Sequence, residues 1–156
     1  MFGPKLEKSL IPASEWSSAI LPILEQGHTL KMPFSGLSMH PLLVGGRDEV
    51  LLESVSGRKL KRGDIVLFVQ EDGTHVLHRI HHIKNNTYFM LGDAQVWIEG
   101  PVPADKVLGI ATVLIRKNKM ISSRRIDYLI ISHLWLLLRP VRPMILKAIK
   151  RLRKHG

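Results

Sequence analysis

The sequence contains no cysteine. Disulfide bonds and thiolate metal sites are therefore excluded, and cysteine usage gives no indication of a redox compartment. The apolar segments are all shorter than the ~20 residues that a helix needs to cross a bilayer. The first twelve residues also lack the apolar run and the small-residue cleavage site of a targeting signal, because charged residues and prolines interrupt them. No anchor ahead of the main domain is expected.

Acidic residues are almost missing from the C-terminal quarter. Residues 116–156 contain 12 Lys/Arg and only Asp127 on the acidic side, a net charge of +11, whereas residues 1–115 contain 11 Lys/Arg and 12 Asp/Glu, a net charge of −1. The length fits one domain with a real core and an appendage. We therefore divide the chain into an N-terminal segment (1–27), a central domain (28–118) and a basic tail (119–156).

The central region has the pattern of a mainly β domain. Ahead of it, Ser14 is expected to cap a short amphipathic helix that contains Pro22 and ends at Gly27. Six apolar segments then alternate with Gly, Asp and Asn turns, and Asp72-Gly73 is expected to join two of them as a hairpin. The predicted strands are His28–Phe34, Glu49–Val55, Asp64–Gln70, His75–Ile83, Thr87–Leu91 and Lys106–Arg116.

A serine stands on a predicted bend after the first of these strands. Ser38 lies between Gly36 and the exit formed by Met39 and Pro41. Glycine permits a backbone geometry that other residues avoid, and proline stiffens the way out, so the hydroxyl is both exposed and held in place. Taken alone, the segment is more typical of an ordinary turn than of a catalytic site.

Four short motifs occur in a fixed order along the chain. They are Gly36-Leu37-Ser38-Met39-His40-Pro41, Gly63-Asp64-Ile65-Val66, His78-Arg79-Ile80 and Gly92-Asp93-Ala94. Together they resemble the catalytic core of the type I signal peptidases, and more narrowly the endoplasmic-reticulum and archaeal branch, in which histidine replaces the lysine base. The resemblance spans Thr29–Ile115. It implies the coiled β fold that signal peptidases share with LexA-type repressor proteases, and no metal or organic cofactor.

The resemblance also implies the catalytic roles. Ser38 would attack the scissile carbonyl, His78 would take its proton, and Asp93 would orient His78. Glu99 lies where relatives often have a second acid, and its role stays open. The N–H of Ser38 is one expected oxyanion donor. Gly36, Met39 and Pro41 would shape the substrate groove, while a second donor, with Ser35 as one choice, is not assigned.

Four histidines crowd the strand that carries the candidate base. A metal cluster is the alternative to catalysis, but alternation along a strand puts His78 and His82 on one face and His75 and His81 on the other. One strand therefore does not supply three histidines to one face. The Arg-Ile that follows His78 singles it out.

The tail predicts a second function. Ser122 or Ser123 is expected to cap an apolar helix that reaches Leu138, and a basic amphipathic helix follows Pro143. We expect residues 122–154 to lie on an anionic membrane surface, with Tyr128 and Trp135 near the headgroups and the protein peripheral on the cytoplasmic side. Protein docking ranks second and nucleic acid third. Removal of 129–156 is expected to abolish vesicle binding but not peptide cleavage.

The expected activity is therefore cleavage of a leader or preprotein after small residues, with the substrate bound as an added strand. Because the N-terminal anchor that is usual in the signal peptidases is not expected here, a specialised leader is a better candidate than general secretory precursors. Two alternatives stay open: a catalytically silent β domain that binds peptides or membranes, and a self-cleaving protease of the LexA type. The second lacks a DNA-binding helix-turn-helix ahead of Ser35.

Overall fold

The computed structural model describes residues 13–156, with side chains from Ser17 onward. The expectation for the first twelve residues lies outside this range. Helix α1 covers Ala13–Glu25 and contains Pro22, and Gly27 follows it with a positive φ of 83°, as its predicted end requires. Ile20 and Leu24 of α1 are buried, but Ile23, which belonged to the predicted apolar stripe, is 39 % exposed.

Within residues 13–156, eight antiparallel strands form one sheet. The domain is therefore mainly β, as predicted, and all six predicted strands agree with the structure to within two residues at each end. Two strands were not predicted, and they appear here as β6 and β8. The strands are β1 Leu30–Pro33, β2 Glu49–Glu53, β3 Ile65–Val69, β4 His75–Lys84, β5 Thr87–Leu91, β6 Glu99–Pro103, β7 Val107–Arg116 and β8 Lys119–Ser122.

Strand β7 organises the sheet, whose order is β1-β2-β7-β3-β4-β5-β6. The first half of β7 pairs with β3, and its second half pairs with β8 on the same side, while β2 runs along the other side. Strand β8 starts at Lys119, so the sheet extends past residue 118, where the sequence placed the end of the domain. The tail accordingly begins with a strand of the sheet.

Tight turns connect neighbouring strands. The predicted Asp72-Gly73 turn joins β3 to β4, with the N–H of Gln70 donating to the carbonyl of Thr74 at 2.8 Å. Asn85 and Asn86 turn the chain from β4 into β5 with φ values of 51° and 56°. Two consecutive residues of positive φ are typical of the hairpin turn that matches the twist of the strands.

Two apolar cores lie on the sheet. The first contains Ile20 and Leu24 of α1, Met39 and Leu43 of the segment after β1, and Leu77 of β4. The second has a different set of side chains: Leu60, Val66, Phe68, Ile80, Met90, Val102, Val107 and Ile110. Because neighbouring side chains on a strand face opposite sides, β4 contributes to both cores.

Two helices follow the sheet. Helix α2 covers Ile126–Leu137, and α3 covers Arg142–His155 after a short 3₁₀ turn. Helix α2 begins after Arg125, later than the Ser122 or Ser123 cap that the sequence suggested, because Ser122 is the last residue of β8 and Ser123 lies in the turn that follows. Within residues 13–156 no single helix is long and apolar enough to cross a membrane. The two C-terminal helical segments, bent by 66° at their junction, meet that criterion of length and composition only as a pair.

Candidate functional site

His78 is a buried histidine in the middle of β4. Its cross-strand partner is Val66, and the ring of Phe68 lies with its centroid 5.9 Å from the imidazole centroid. Burial lowers the pKa of His78, and the negative charges of Glu99 and Asp93 act in the opposite direction without cancelling that effect. The imidazole is therefore held largely neutral near pH 7, which is the form that accepts a proton.

Glu99 is the acid beside this imidazole. Its Oε1 lies 3.7 Å from Nδ1 of His78, and its Oε2 accepts a hydrogen bond of 2.8 Å from the side-chain amide of Gln70. The side chain is 23 % exposed. It is the first residue of β6, and the register places it opposite Met90 of β5. Nδ1 of His78 has no hydrogen-bond partner among the described residues, so Glu99 is near enough to form one after a small movement.

Asp93, the predicted orienter, has a different partner. Both its oxygens accept hydrogen bonds from Arg79, at 2.9 Å from Nε and 2.8 Å from Nη2, and both side chains are fully buried. Burial alone would lower the pKa of Arg79, but the charge and hydrogen bonds of Asp93, together with Tyr128, raise it. Asp93 thus neutralises Arg79, and its influence on His78 is electrostatic rather than a hydrogen bond.

The turn that carries Asp93 also contacts the candidate nucleophile. The N–H of Ala94 donates to the carbonyl of Ser38 at 2.9 Å. A Cβ on Gly92 would lie only 2.7 Å from the same carbonyl oxygen, so glycine is required for the close approach. Residues 92–95, which we call the clamp turn, therefore set the position of the Ser38 backbone.

The segment around Ser38 is held from its other side as well. Gly36 has a φ of 88°, and a Cβ on Gly45 would lie 2.3 Å from the Gly36 carbonyl, so the two glycines close the loop backbone on backbone. The buried carboxylate of Asp48 closes the same loop by accepting from the N–H of Val44 at 2.8 Å and from Arg47. These contacts fix the backbone of the loop that carries Ser38.

The hydroxyl and the N–H of Ser38 have no hydrogen-bond partner among the described residues, in contrast to its carbonyl. Among residues 13–156, no hydrogen bond joins Ser38 to His78. Met39 is completely buried in the first core, and Pro41 follows His40 through a cis peptide bond. Gly36 and Met39 thus support the loop. The structure therefore places the Ser38 backbone against the turn that carries Asp93. The acid beside the His78 imidazole is Glu99, not Asp93.

The tail helices also hold the clamp turn. The indole N–H of Trp135 donates to the carbonyl of Asp93 at 2.9 Å, and the buried Arg142 donates to the carbonyls of Gly92 and Gln95 at 3.1 and 2.8 Å. Burial lowers the pKa of Arg142 to about 10. Tyr128 accepts a hydrogen bond of 3.2 Å from Arg79. Tyr128 and Trp135 therefore pack on the domain, which corrects their expected position at membrane headgroups.

The basic end of α3 acts electrostatically on the loop around Ser38. The pKa of His40 is lowered by burial and, secondarily, by the positive charges of Arg153 and Arg47. Arg153 is thus within electrostatic range of the residue two positions after Ser38. The expectation that residues 129–156 are separable from cleavage loses its basis, because their removal takes away Trp135 and Arg142.

The remaining histidines of β4 do not form a cluster with His78. His75 contacts the hydroxyl of Ser17 at 2.7 Å, while His82 stacks on Phe89 with ring centroids 4.2 Å apart. A bulge between Ile80 and His82 breaks the simple alternation assumed from the sequence, so Nδ1 of His81 and Nδ1 of His82 approach to 2.8 Å. The described part of the chain contains no group of three metal-ligating side chains.

Sequence reasoning missed Arg79, Tyr128, Trp135 and Arg142 as parts of this site. Arg79 was used only as a marker for His78, and the aromatic residues were assigned to a membrane. A buried arginine leaves no clear sequence signal, because its partner Asp93 is fourteen residues away. Comparisons with known proteins leave the resemblance untested: no protein-family model matches the chain, and no curated protein is similar enough to count as a relative.

The different roles of Asp93 and Glu99 can be tested by their effects on the stability of the protein. Asp93→Asn is expected to lower the free energy of unfolding by about 3–5 kcal/mol, because it leaves the buried Arg79 charge without a partner. Glu99→Gln should lower it by less than about 1 kcal/mol, since this side chain is partly solvated. Urea unfolding measures both. If Asp93→Asn fails to fold, the double variant Arg79→Met/Asp93→Leu, which removes both charges, should recover a folded protein; equal effects of the two single variants would contradict the assignment.

The Trp135 hydrogen bond gives a second test. Trp135→Phe keeps an aromatic ring in the buried position but removes the donor to the Asp93 carbonyl, and we expect a loss of about 1–2 kcal/mol in thermal or urea unfolding. Leu134→Ala, on the neighbouring exposed position, is the control and should change the stability by less than about 0.5 kcal/mol. Equal losses would mean that the indole N–H does not hold the clamp turn.

Proposed function

We propose that this chain is a serine endopeptidase that resembles the type I signal peptidases and uses Ser38 as nucleophile and His78 as general base. The observation that supports it best is the neutral, buried imidazole of His78 with the Glu99 carboxylate beside Nδ1. Titratable groups that are perturbed by burial beside a charged partner cluster at functional sites. Ser38 supplies a hydroxyl on a loop whose backbone is hydrogen-bonded to the clamp turn.

In the proposed reaction, Ser38 Oγ attacks the scissile carbonyl carbon while its proton passes to Nε2 of His78. Glu99 accepts the hydrogen bond from Nδ1–H and stabilises the imidazolium that forms. The free N–H of Ser38 donates to the developing oxyanion. The imidazolium then gives its proton to the leaving amine, and water, activated by the same imidazole, hydrolyses the acyl-enzyme.

The hydrogen bond between Ser38 and His78 would form when substrate binds. Catalytic hydrogen bonds are often long in free enzymes and shorten only in the complex with substrate. The unpaired hydroxyl of Ser38 and the unpaired Nδ1 of His78 in the described chain are consistent with a site that is completed in this way. Asp93 has a positioning role in this scheme, because it fixes Arg79 and the clamp turn rather than the imidazole.

The substrate side of the site is apolar. Leu37, directly before Ser38, is 73 % exposed, and Trp97, two residues before Glu99, is 58 % exposed. An extended peptide that binds beside Ser38 could bury these two side chains. The preference for small residues at the cleavage position comes from the resemblance alone, and a leader or preprotein segment is the proposed substrate class.

One observation favours a second function. The described structure has no Ser38–His78 hydrogen bond, and Asp93 is committed to Arg79. A catalytically silent domain that binds peptides through the same exposed Leu37 and Trp97 surface would show both features. The cleavage experiment below decides between these two functions.

Peptide cleavage is the direct test. A diverse peptide library, incubated with the full chain and read by mass spectrometry, should show cuts after small residues. Ser38→Ala and His78→Gln should each lower the rate by about a thousandfold or more. Ser56→Ala and His28→Gln, which change exposed residues outside the site, are the matched controls and should keep the activity. Cuts that persist in Ser38→Ala, or a wild type that cuts nothing while remaining folded, would favour the binding domain.

The pH profile tests the role of Glu99. Because burial lowers the pKa of His78 from its ordinary 6.5, kcat/KM should begin to fall only at a pH below that value. The Glu99 charge raises this pKa, so Glu99→Gln should move the acid limb to still lower pH and reduce the plateau about 10- to 100-fold. Glu71→Gln, an exposed acid in the β3–β4 turn, should leave the limb in place. A shift of the Glu99→Gln limb to higher pH would contradict the assignment.

A further inference from the structure

Helix α2 has two apolar faces, and only one of them is used by the fold. The inner face packs on the sheet and the clamp turn through Tyr128, Ser132, Trp135 and Leu136. An amphipathic surface helix is expected to carry polar residues on the opposite side. Helix α2 departs from this pattern, because apart from Asp127 and His133 its exposed positions are apolar as well.

The outer surface continues across the bend into α3. We call it the outer face, and its exposed large apolar side chains are Ile126, Ile130, Leu134, Leu137, Val141 and Met144. Ile130 is 62 % exposed and Leu134 is 52 % exposed. Scattered exposed apolar residues are normal, but a continuous row over two helices marks a contact surface.

Positive charge surrounds the outer face. Helix α3 exposes Lys147, Lys150, Arg151, Arg153 and Lys154. On the side of the domain, Lys61 and Arg62 line a cleft of about 210 Å³ together with Leu129 and His133 of α2. Asp127 is the acidic residue of the tail, and its carboxylate is paired with Arg125. The two helices thus expose apolar side chains and cations together.

We propose that the outer face of α2 and α3 lies on an anionic membrane surface, with the apolar row in the headgroup and acyl boundary and the lysines and arginines on the lipid phosphates. A second copy of the chain would bring the same +11 charge of residues 116–156 to the contact and be repelled. A nucleic acid would leave the apolar row without a partner. An anionic lipid surface provides a partner both for the apolar row and for the lysines and arginines.

This position would bring the candidate site close to the lipid. The inner face of α2 contacts the clamp turn, so that turn lies about one helix diameter, ~10 Å, from the surface on which the outer face rests. The surface assignment does not depend on the peptidase proposal, because binding can be measured with the Ser38→Ala protein. If either the membrane-surface proposal or the peptidase proposal is contradicted, the other is not affected.

The test is co-sedimentation of the full chain with vesicles of phosphatidylcholine alone and of phosphatidylcholine with a quarter phosphatidylglycerol. Binding is expected to the anionic vesicles. Ile130→Gln/Leu134→Gln and Lys147→Gln/Lys150→Gln/Lys154→Gln should each weaken it about tenfold or more. Ile83→Gln matches the apolar change, and Lys59→Gln/Lys84→Gln/Lys106→Gln matches the charge change at exposed positions outside the tail; both should bind as the wild type does.

Thermal unfolding of each variant checks that the fold is intact. Absence of binding to anionic vesicles by the folded wild type would overturn the proposal. Equal weakening by the tail variants and their matched controls would overturn it too, since net charge alone would then explain binding. A dimer in light scattering that Ile130→Gln/Leu134→Gln dissociates would assign the outer face to a second copy instead.

Discussion

The buried ion pair between Arg79 and Asp93 is the interaction on which the site depends. Two fully buried charges are tolerated only when they satisfy each other in good geometry, and here two short hydrogen bonds do so. The pair pins the clamp turn to β4. Once the turn is pinned, its backbone groups are available in fixed directions: the Ala94 N–H to Ser38, and the Asp93 carbonyl to Trp135. Loop and tail are thus arranged around one salt bridge.

Because side chains alternate along β4, Arg79 and the candidate base His78 lie on opposite faces of the sheet. Arg79 points to the side of the first core, where it serves the turn, while its neighbour His78 points to the second core, where Glu99 approaches. An acid that orients His78 has to come from that second side. Asp93 is on the Arg79 side, and this is the physical reason why the acid that follows the motif is not the acid beside the imidazole.

The strands were predictable where side-chain pattern and turn chemistry agree. Thr87–Leu91 coincides with the predicted strand, and the turns at Gly73 and Asn86 lie where expected. Strand β6 was missed because Gly100 and Pro101 are unusual inside a strand, and they are tolerated here at the edge of the sheet. Strand β8 was missed because its four residues carry little apolar signal and form only by pairing with the end of β7.

The site was predictable by residue type but not by partnership. Ser38, His78, Asp93 and Glu99 were all identified from the sequence, yet the choice between the two acids depends on the face of β4 and on the register of β6, which no local pattern encodes. The same holds for α2. Its apolar composition predicted a contact surface, but a helix with apolar residues on two opposite faces needs partners on both sides. The inner face of α2 packs on the Arg79–Asp93 ion pair and the clamp turn. The apolar residues that predicted membrane contact therefore belong to two different faces of the helix. Trp135 belongs to the face that builds the site, and Ile130 and Leu134 belong to the face that the fold leaves exposed.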